Sequence, residues 1–317
     1  MSLNLNSLSD SDIAFRCRNP DIIISGDPDV RCLAKLSDDV IVKCGWSVTP
    51  EETANQEFAY KYSYACDLKV PKIYRYFRMR NIGYIVMEFI EGTSLEKIQF
   101  HKHSGLVQRL ATAIHNLFQQ MPVDSPGPRN GGIPRGSLFS EDGAGTTLNT
   151  MAKLNQWLNE RFLLEKDELG FNFDLSDCRF CHLDLTRRNI ILCPDGSFCL
   201  LDWEHAGFYP TVFETYCLLF ARQHDYEFSQ ELLEALDNLS PKTESHKELE
   251  RHVQMLDRVY RNNLRYCFSN ADDTELRKEA EKFAAFPFPL HTEVPTSTVP
   301  PPALFTETVP PPLHLGS

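Results

Sequence analysis

Short apolar runs broken by turn residues fill the first ninety positions, and from about residue 106 the apolar positions recur at helical spacing. Asp21-Ile22-Ile23-Ile24-Ser25 reads as a strand that ends in the turn cluster Gly26-Asp27-Pro28-Asp29. Val30–Leu36 and Val40–Cys44 then flank Ser37-Asp38-Asp39, which has the chemistry of a hairpin turn. Residues 49–65 are expected to be helical. Thr49 serves as N-cap, Pro50 suits the first helical position, and Glu51 and Glu52 complement the N-terminal dipole. Past Pro71, Lys72–Arg78 and Tyr84–Phe89 are again strand-like. Strands arranged around one helix describe a mixed α+β lobe.

After Gly92 the pattern changes. Leu106, Leu110, Ile114 and Leu117, with Val107, Ala113, Phe118 and Met121, give one helix a broad apolar face. Residues 122–148 are rich in Pro and Gly and are expected to be loop, and Leu148–Leu164 is helical again. The apolar runs Phe180–His182, Ile190–Cys193 and Phe198–Asp202 read as short strands, the last two joined at Asp195-Gly196. From Val212 to about Phe286 the spacing is helical, with acidic residues on solvated faces. From Pro287 prolines alternate with Thr, Ser and Val, a composition that builds no core and predicts a disordered tail.

With 317 residues the chain has apolar material for one large domain or two apposed lobes. No uninterrupted apolar stretch reaches about 18 residues, which argues against a membrane-spanning helix. Met1–Asp12 lacks the basic and apolar regions of a signal peptide, so a cytoplasmic chain is expected. A net charge of −12 without a basic stripe makes nucleic acid an unexpected partner. Ten cysteines are scattered along the chain and are expected to be reduced thiols packed as small hydrophobes. Cys178 and Cys181 form a C-x-x-C, but no second pair follows, and in an extended segment that spacing turns the two side chains to opposite faces. Packing is expected there, not zinc.

The most informative stretch is His182-Leu183-Asp184-Leu185-Thr186-Arg187-Arg188-Asn189, followed after the hairpin by Leu200-Leu201-Asp202-Trp203-Glu204. Phosphoryl transfer asks little covalent work of a protein. It needs a carboxylate to orient and deprotonate the attacking hydroxyl, and oxygen ligands for the metal that bridges the phosphates. Asp184 opens a tight loop, Asn189 closes it with an amide oxygen suited to Mg2+, and Asp202 offers a carboxylate at the end of an apolar strand. This paired motif resembles that of the aminoglycoside phosphotransferase and choline kinase-like family, over about residues 25–225. Within it the chain looks most like a fungal-type branch whose acceptors are mostly unassigned.

The resemblance implies an α+β, protein-kinase-like fold with a small, mainly β N-lobe and a larger, mainly α C-lobe. Residues 1–19 would then be an N-terminal extension, 20–90 the nucleotide-binding lobe, 91–286 the lobe for catalysis and acceptor binding, and 287–317 the tail. It further implies ATP and Mg2+, with Asp184 as catalytic base and Asn189 and Asp202 as metal ligands. Lys43, in Val40-Ile41-Val42-Lys43, would hold the α- and β-phosphates, and Glu57 on the predicted helix would pair with it. Glu51 and Glu52 are rivals for that pairing, but their place in the first turn is explained by the dipole. In Tyr84–Gly92 the Glu88 carbonyl and the Ile90 amide would read the adenine edge. His182 is expected to pack and hydrogen-bond, and Trp203 to belong to the core.

Two departures matter. No G-x-G-x-x-G precedes Lys43, and Ser25-Gly26-Asp27-Pro28-Asp29 is the nearby candidate; this keeps a catalytically silent, nucleotide-binding module as the alternative. Pro210 and a helix follow Asp202 within about ten residues, which leaves no room for a peptide-docking activation segment. A small hydroxylated acceptor is therefore expected, bounded by the 127–147 loop and the acidic helices after 225, and acted on by a monomer or weak dimer. The acidic balance leaves room for a cationic acceptor, although plain solubility is the preferred explanation of it.

Overall fold

In the computed structural model, which describes residues 4–265 apart from 29, 66, 141–142, 163–168 and 240–245, the polar N-terminal segment opens with a helix. This helix, α1 (Asp10–Arg16), is started by a reciprocal capping box between Ser9 and Asp12. It buries Ile13 and Ala14, and Arg75 anchors the segment before it by donating to the carbonyls of Leu5 and Leu8. What reads as an extension in sequence is thus part of the core of the first lobe.

Strands β1 (Ile23–Asp27), β2 (Arg31–Lys35) and β3 (Val40–Gly45) are followed by α2 (Pro50–Tyr62), a two-residue β4 (Leu68–Lys69), β5 (Ile73–Met79) and β6 (Ile82–Glu88). They form an antiparallel sheet in the order β1-β2-β3-β6-β5, with β4 outside it. The two-residue period of a strand sorts β3. Val40, Val42 and Cys44 face α1 with Cys32, Ala34, Tyr84 and Val86, and this face is the N-lobe core. Lys43 is out of that phase and points to the other face, where α2 lies. It stands opposite Leu33 on β2 and Ile85 on β6.

The C-lobe begins with β7 (Thr93–Ser94) and α3 (Leu106–Gln120), whose buried face is the one read from its spacing. The described residues of 121–150 are loop around one short 3-10 turn, Arg129–Gly131, and α4 (Met151–Phe162) follows. Four short strands come next: β8 (Cys178–Cys181), β9 (Ile190–Leu192), β10 (Phe198–Leu200) and β11 (Gly207–Pro210). The lobe closes with α5 (Val212–Ala221), α6 (Tyr226–Leu239) and α7 (His246–Arg265). The expected helical stretch beyond Arg265, the tail from Pro287, and Cys66 and Cys267 lie outside the described residues.

Two apolar clusters fix these strands in place. One gathers α3, Leu68, Phe180, Phe198, Trp203 and Phe208, and so joins β4 to the motif-bearing strands. The other packs Phe139, Trp157, Tyr209, Phe213 and Leu256 beneath β8 and β11. Each such side chain contributes roughly 1.5–3 kcal/mol on burial, so the loops that these strands carry sit on a firm base. Cys178 and Cys181 are buried, free thiols in β8, as packing residues would be. No helix among the described residues is long and apolar enough to cross a membrane.

Candidate active site

The β9–β10 hairpin, with Ile190 opposite Leu200, sets the ends of both motifs side by side. Asn189 immediately precedes β9, Asp202 lies two residues past β10, and the Leu201 amide donates to the Asn189 carbonyl at 2.8 Å. Asn189 turns its Nδ2 onto the Asp184 carbonyl (3.0 Å) and the Asp184 Oδ2 (2.8 Å), which leaves its own Oδ1 as an acceptor. Arg188 also donates to Asp184 Oδ2, at 2.8 Å. Asp184 Oδ1 takes no hydrogen bond among the described residues.

His182 is fully buried and edge-on to the wholly buried Trp203. Its Nε2–H donates to the Leu201 carbonyl at 2.9 Å, so Nδ1 is free to accept from the Asp184 amide at 3.2 Å. Burial pulls this imidazole down to about 4, and it stays neutral near pH 7. The amides of His182 and Leu183 both donate to the carboxylate of Glu214 on α5, at 2.6 and 3.0 Å. That carboxylate holds Leu183 at a φ of 62°, a left-handed conformation that a leucine adopts only when its surroundings impose it.

Lys43 comes to the same place from the other lobe. Its Nζ is buried, 2.8 Å from Asp202 Oδ1, 2.5 Å from Glu52 Oε1 and 3.7 Å from Glu204 Oε2. Burial opposes the ammonium, but the surrounding carboxylates outweigh it and keep Lys43 charged. Burial likewise raises the Asp202 carboxyl, and Lys43 and Arg31 more than offset this, so Asp202 stays ionised well below the usual range. Asp202 has a φ of 62°, which places a second non-glycine residue of the site in left-handed backbone.

The partner expected for Lys43 was Glu57, and the structure corrects this to Glu52. Glu57 is exposed and makes no contact with Lys43. The buried face of α2 carries Glu52, Asn55, Gln56 and Ala59, at spacings of three, four and seven from Glu52. Glu57 is five residues along, roughly 140° around the helix. The dipole argument that set Glu52 aside was incomplete: Glu52 does sit in the first turn, its amide capped by Thr49 Oγ1 at 3.2 Å, and its side chain points inward as well.

Three further residues escaped the sequence reading. Arg31, at the start of β2, reaches Asp202 Oδ2 at 2.7 Å and Glu204 Oε2 at 3.2 Å. Asn55, fully buried, donates to the carbonyls of Trp203 (3.1 Å) and Ala206 (2.7 Å) and accepts from the Arg129 amide (2.9 Å), tying α2 to both loops. Glu214 is the third. The i, i+3, i+4 recurrence of polar residues on α2 was a signal for Asn55; nothing local marks Arg31 or Glu214.

At the sheet edge the Glu88 amide donates to the Lys72 carbonyl, and the Phe89 amide to the Asp39 carbonyl at 3.0 Å. The Ile90 amide that follows has no acceptor among the described residues. The 127–147 loop lies against α2 and the segment after Asp202: Gly127 bridges to Phe208, and a Cβ on Gly136 would meet the His205 ring at 3.0 Å. On the flank of the catalytic loop is a cavity of about 490 Å³, lined in part by Glu96, Phe100, Arg187, Asp225 and Tyr226.

Solved structures of aminoglycoside phosphotransferase APH(4)-Ia share this architecture. An apo thermostable mutant aligns with a TM-score of 0.51 at 12% identity, covering 82% of this chain and 92% of that one. A ternary complex of another mutant with AMP-PNP and hygromycin B aligns with 0.51 at 12%, covering 82% and 91%. A choline/ethanolamine kinase family protein from Mesorhizobium loti aligns with 0.44 at 13%, covering 86% and 91%. No curated protein matches the chain in sequence. The two-lobe fold is thus the protein-kinase-like one. Residues 38–249 match the phosphotransferase enzyme family (APH), which is most of the chain and includes every motif residue placed above, and the protein belongs to that family.

Proposed function

We propose that this protein transfers the γ-phosphoryl group of ATP, with Mg2+, to a hydroxyl of a small acceptor. The observation that carries the reading is the meeting of Lys43 and Asp202, from different lobes, at 2.8 Å beside the Asp184–Asn189 loop. The residues present fit the metal. Two cations, Lys43 and Arg31, face Glu52, Asp202 and Glu204; burial pushes Glu52 up to about 7, and its Oε2 is buried without a partner. Among the described residues no three His, Cys, Asp or Glu converge as a self-sufficient metal site. Two oxygen ligands, completed by water and phosphate, are what Mg2+ prefers. Asp202 and the Asn189 Oδ1 would hold it, and when bound it supplies neutralisation of the phosphate charge.

Lys43, fixed by Glu52, would hold the phosphates in register, and the free Ile90 amide would meet the adenine edge with the Glu88 carbonyl. Asp184, with Oδ2 pinned by Asn189 and Arg188, presents Oδ1 to the acceptor. As the acceptor oxygen bonds to the γ-phosphorus and the bond to the β-phosphate oxygen breaks, the hydroxyl proton passes to Asp184 and ADP departs. The acceptor would lie over Asp184. AMP-PNP and hygromycin B in the APH(4)-Ia complex are in keeping with a nucleotide and a small hydroxylated acceptor.

Asp184→Ala tests the assignment. With labelled ATP, Mg2+ and a panel of hydroxylated metabolites, the wild type should yield a phosphorylated product. The variant should lose at least about a hundredfold in turnover yet bind ATP as before. Turnover at the wild-type rate in the variant, or no transfer by the wild type to any acceptor while nucleotide still binds, would count against it, the second favouring a silent binding module.

A further inference from the structure

Of the two cations that hold Asp202, Arg31 is the exposed one. Its side chain is 45% exposed, whereas Lys43 beside it is 6% exposed and locked between Glu52 and Asp202. Arg31 engages Asp202 and Glu204 through Nη2, and the other N–H groups of its planar fork have no acceptor among the described residues. It projects from the first residue of β2, next to the β1–β2 turn. In nucleotide-binding turns of this position glycines normally let backbone amides close on the phosphates.

Here the described residues of the turn are poor in donors. Pro28 has no N–H, and the Val30 amide is spent on the Asp27 carbonyl at 3.0 Å. Gly26, with a φ of 83°, is consumed in closing the hairpin: a Cβ there would lie 2.0 Å from the Arg31 carbonyl oxygen. Asp27 adds a negative charge where phosphate would approach. A guanidinium at the root of the turn restores what the turn lacks, since it offers paired N–H donors and positive charge in the geometry that phosphate accepts.

Resting on the phosphotransferase reading above, we propose that Arg31 is the phosphate clamp of this site. In the nucleotide-free protein it neutralises Asp202 and Glu204. When nucleotide arrives it swings to the terminal phosphates, which it grips bidentately, and releases Asp202 for the metal. Lys43 does not move. The clamp therefore discriminates by phosphate number, because a nucleoside monophosphate has no group within its reach.

Binding of ATP, ADP and AMP, measured by calorimetry with Mg2+ for the wild type, Arg31→Gln and Arg31→Lys, tests this without reference to turnover. Arg31→Gln should weaken ATP by about tenfold to a hundredfold, the scale of a lost charge-assisted contact, and leave AMP within about twofold. Arg31→Lys should fall between, because a point charge replaces a fork. If Arg31→Gln keeps the wild-type ratio of ATP to AMP affinity, the clamp is wrong and the phosphotransferase reading stands. If the wild type binds none of the three, both readings fail.

Discussion

Lys43 is held by two carboxylates in a place where water does not reach, and the two do different work. Asp202 belongs to the other lobe, while Glu52 shares the N-lobe with the lysine and fixes where its ammonium sits. Removing Glu52 leaves a buried ammonium hydrogen-bonded to Asp202, the group that is meant to bind metal, with Glu204 farther off at 3.7 Å. Glu52→Gln should therefore lower kcat/KM by roughly a hundredfold, the scale of an ångström of lost positioning, whereas Glu57→Gln, at an exposed site, should stay within about twofold. Steady-state kinetics on the pair of variants checks this, and a larger loss in Glu57→Gln would overturn the pairing. The family resemblance brought in Lys43 with Glu57 as its partner, and the structure gives that place to Glu52. Both glutamates lie on one helix, and the face is chosen by tertiary packing. The inward face of α2 is mostly polar, so the usual apolar stripe that reveals which side is buried is missing.

The loop of residues 182–189 is braced from three sides: the Leu201 carbonyl on His182, the Glu214 carboxylate under two amides, and Asn189 on Asp184. Its titration behaviour follows from the bracing. Burial lowers His182 to about 4, whereas an unfolded histidine protonates near 6.5. As pH falls from about 6.5 to 4 the unfolded chain takes up a proton that the folded chain refuses, so this contribution to stability, full above pH 6.5, is lost by about 3 kcal/mol across that window. Burial raises Glu214 to about 7, which acts with the opposite sign between about 4.5 and 7 and partly masks the histidine. The informative quantity is thus a difference. Urea unfolding of the wild type and His182→Gln, whose amide still reaches the Leu201 carbonyl, should give curves that diverge by losing stability faster with acid in the wild type. Parallel curves would show that His182 is not the titrating group. This loop was legible because its chemistry is contiguous in sequence. Glu214, some thirty residues on, was not, because an acidic residue early in a helix looks like any dipole-complementing glutamate until the fold brings the amides to it.

Across the whole molecule, the two lobes meet through an apolar cluster that includes Ala59 and Leu68 and, at the site, through charge. Lys43 and Arg31 reach down from β3 and β2, Asp202 and Glu204 reach up from the segment after β10, and Asn55 ties α2 to the Trp203 and Ala206 carbonyls. The lobe boundary near Gly92 and the order of elements were readable from the change of period along the chain; the interlobe contacts were not, since Arg31 and Asp202 are 171 positions apart. Such a junction should respond to ligand as a unit. At about a hundred times its dissociation constant, Mg-ATP adds roughly 2.7 kcal/mol to the folded state, about 4 °C in a chain of this size. Asp202→Asn is the discriminating variant, because asparagine tolerates the left-handed backbone at this position and so removes the charge without adding strain. It should melt below the wild type when ligand-free, having lost both ion pairs, and should gain less than about a third of the wild-type shift on adding Mg-ATP. Chelating the metal should reduce the wild type to the same small shift, because Asp202 then has no ion through which to hold the phosphates. An undiminished shift in Asp202→Asn would mean that nucleotide binds elsewhere, and the lobes would then meet for structural reasons alone.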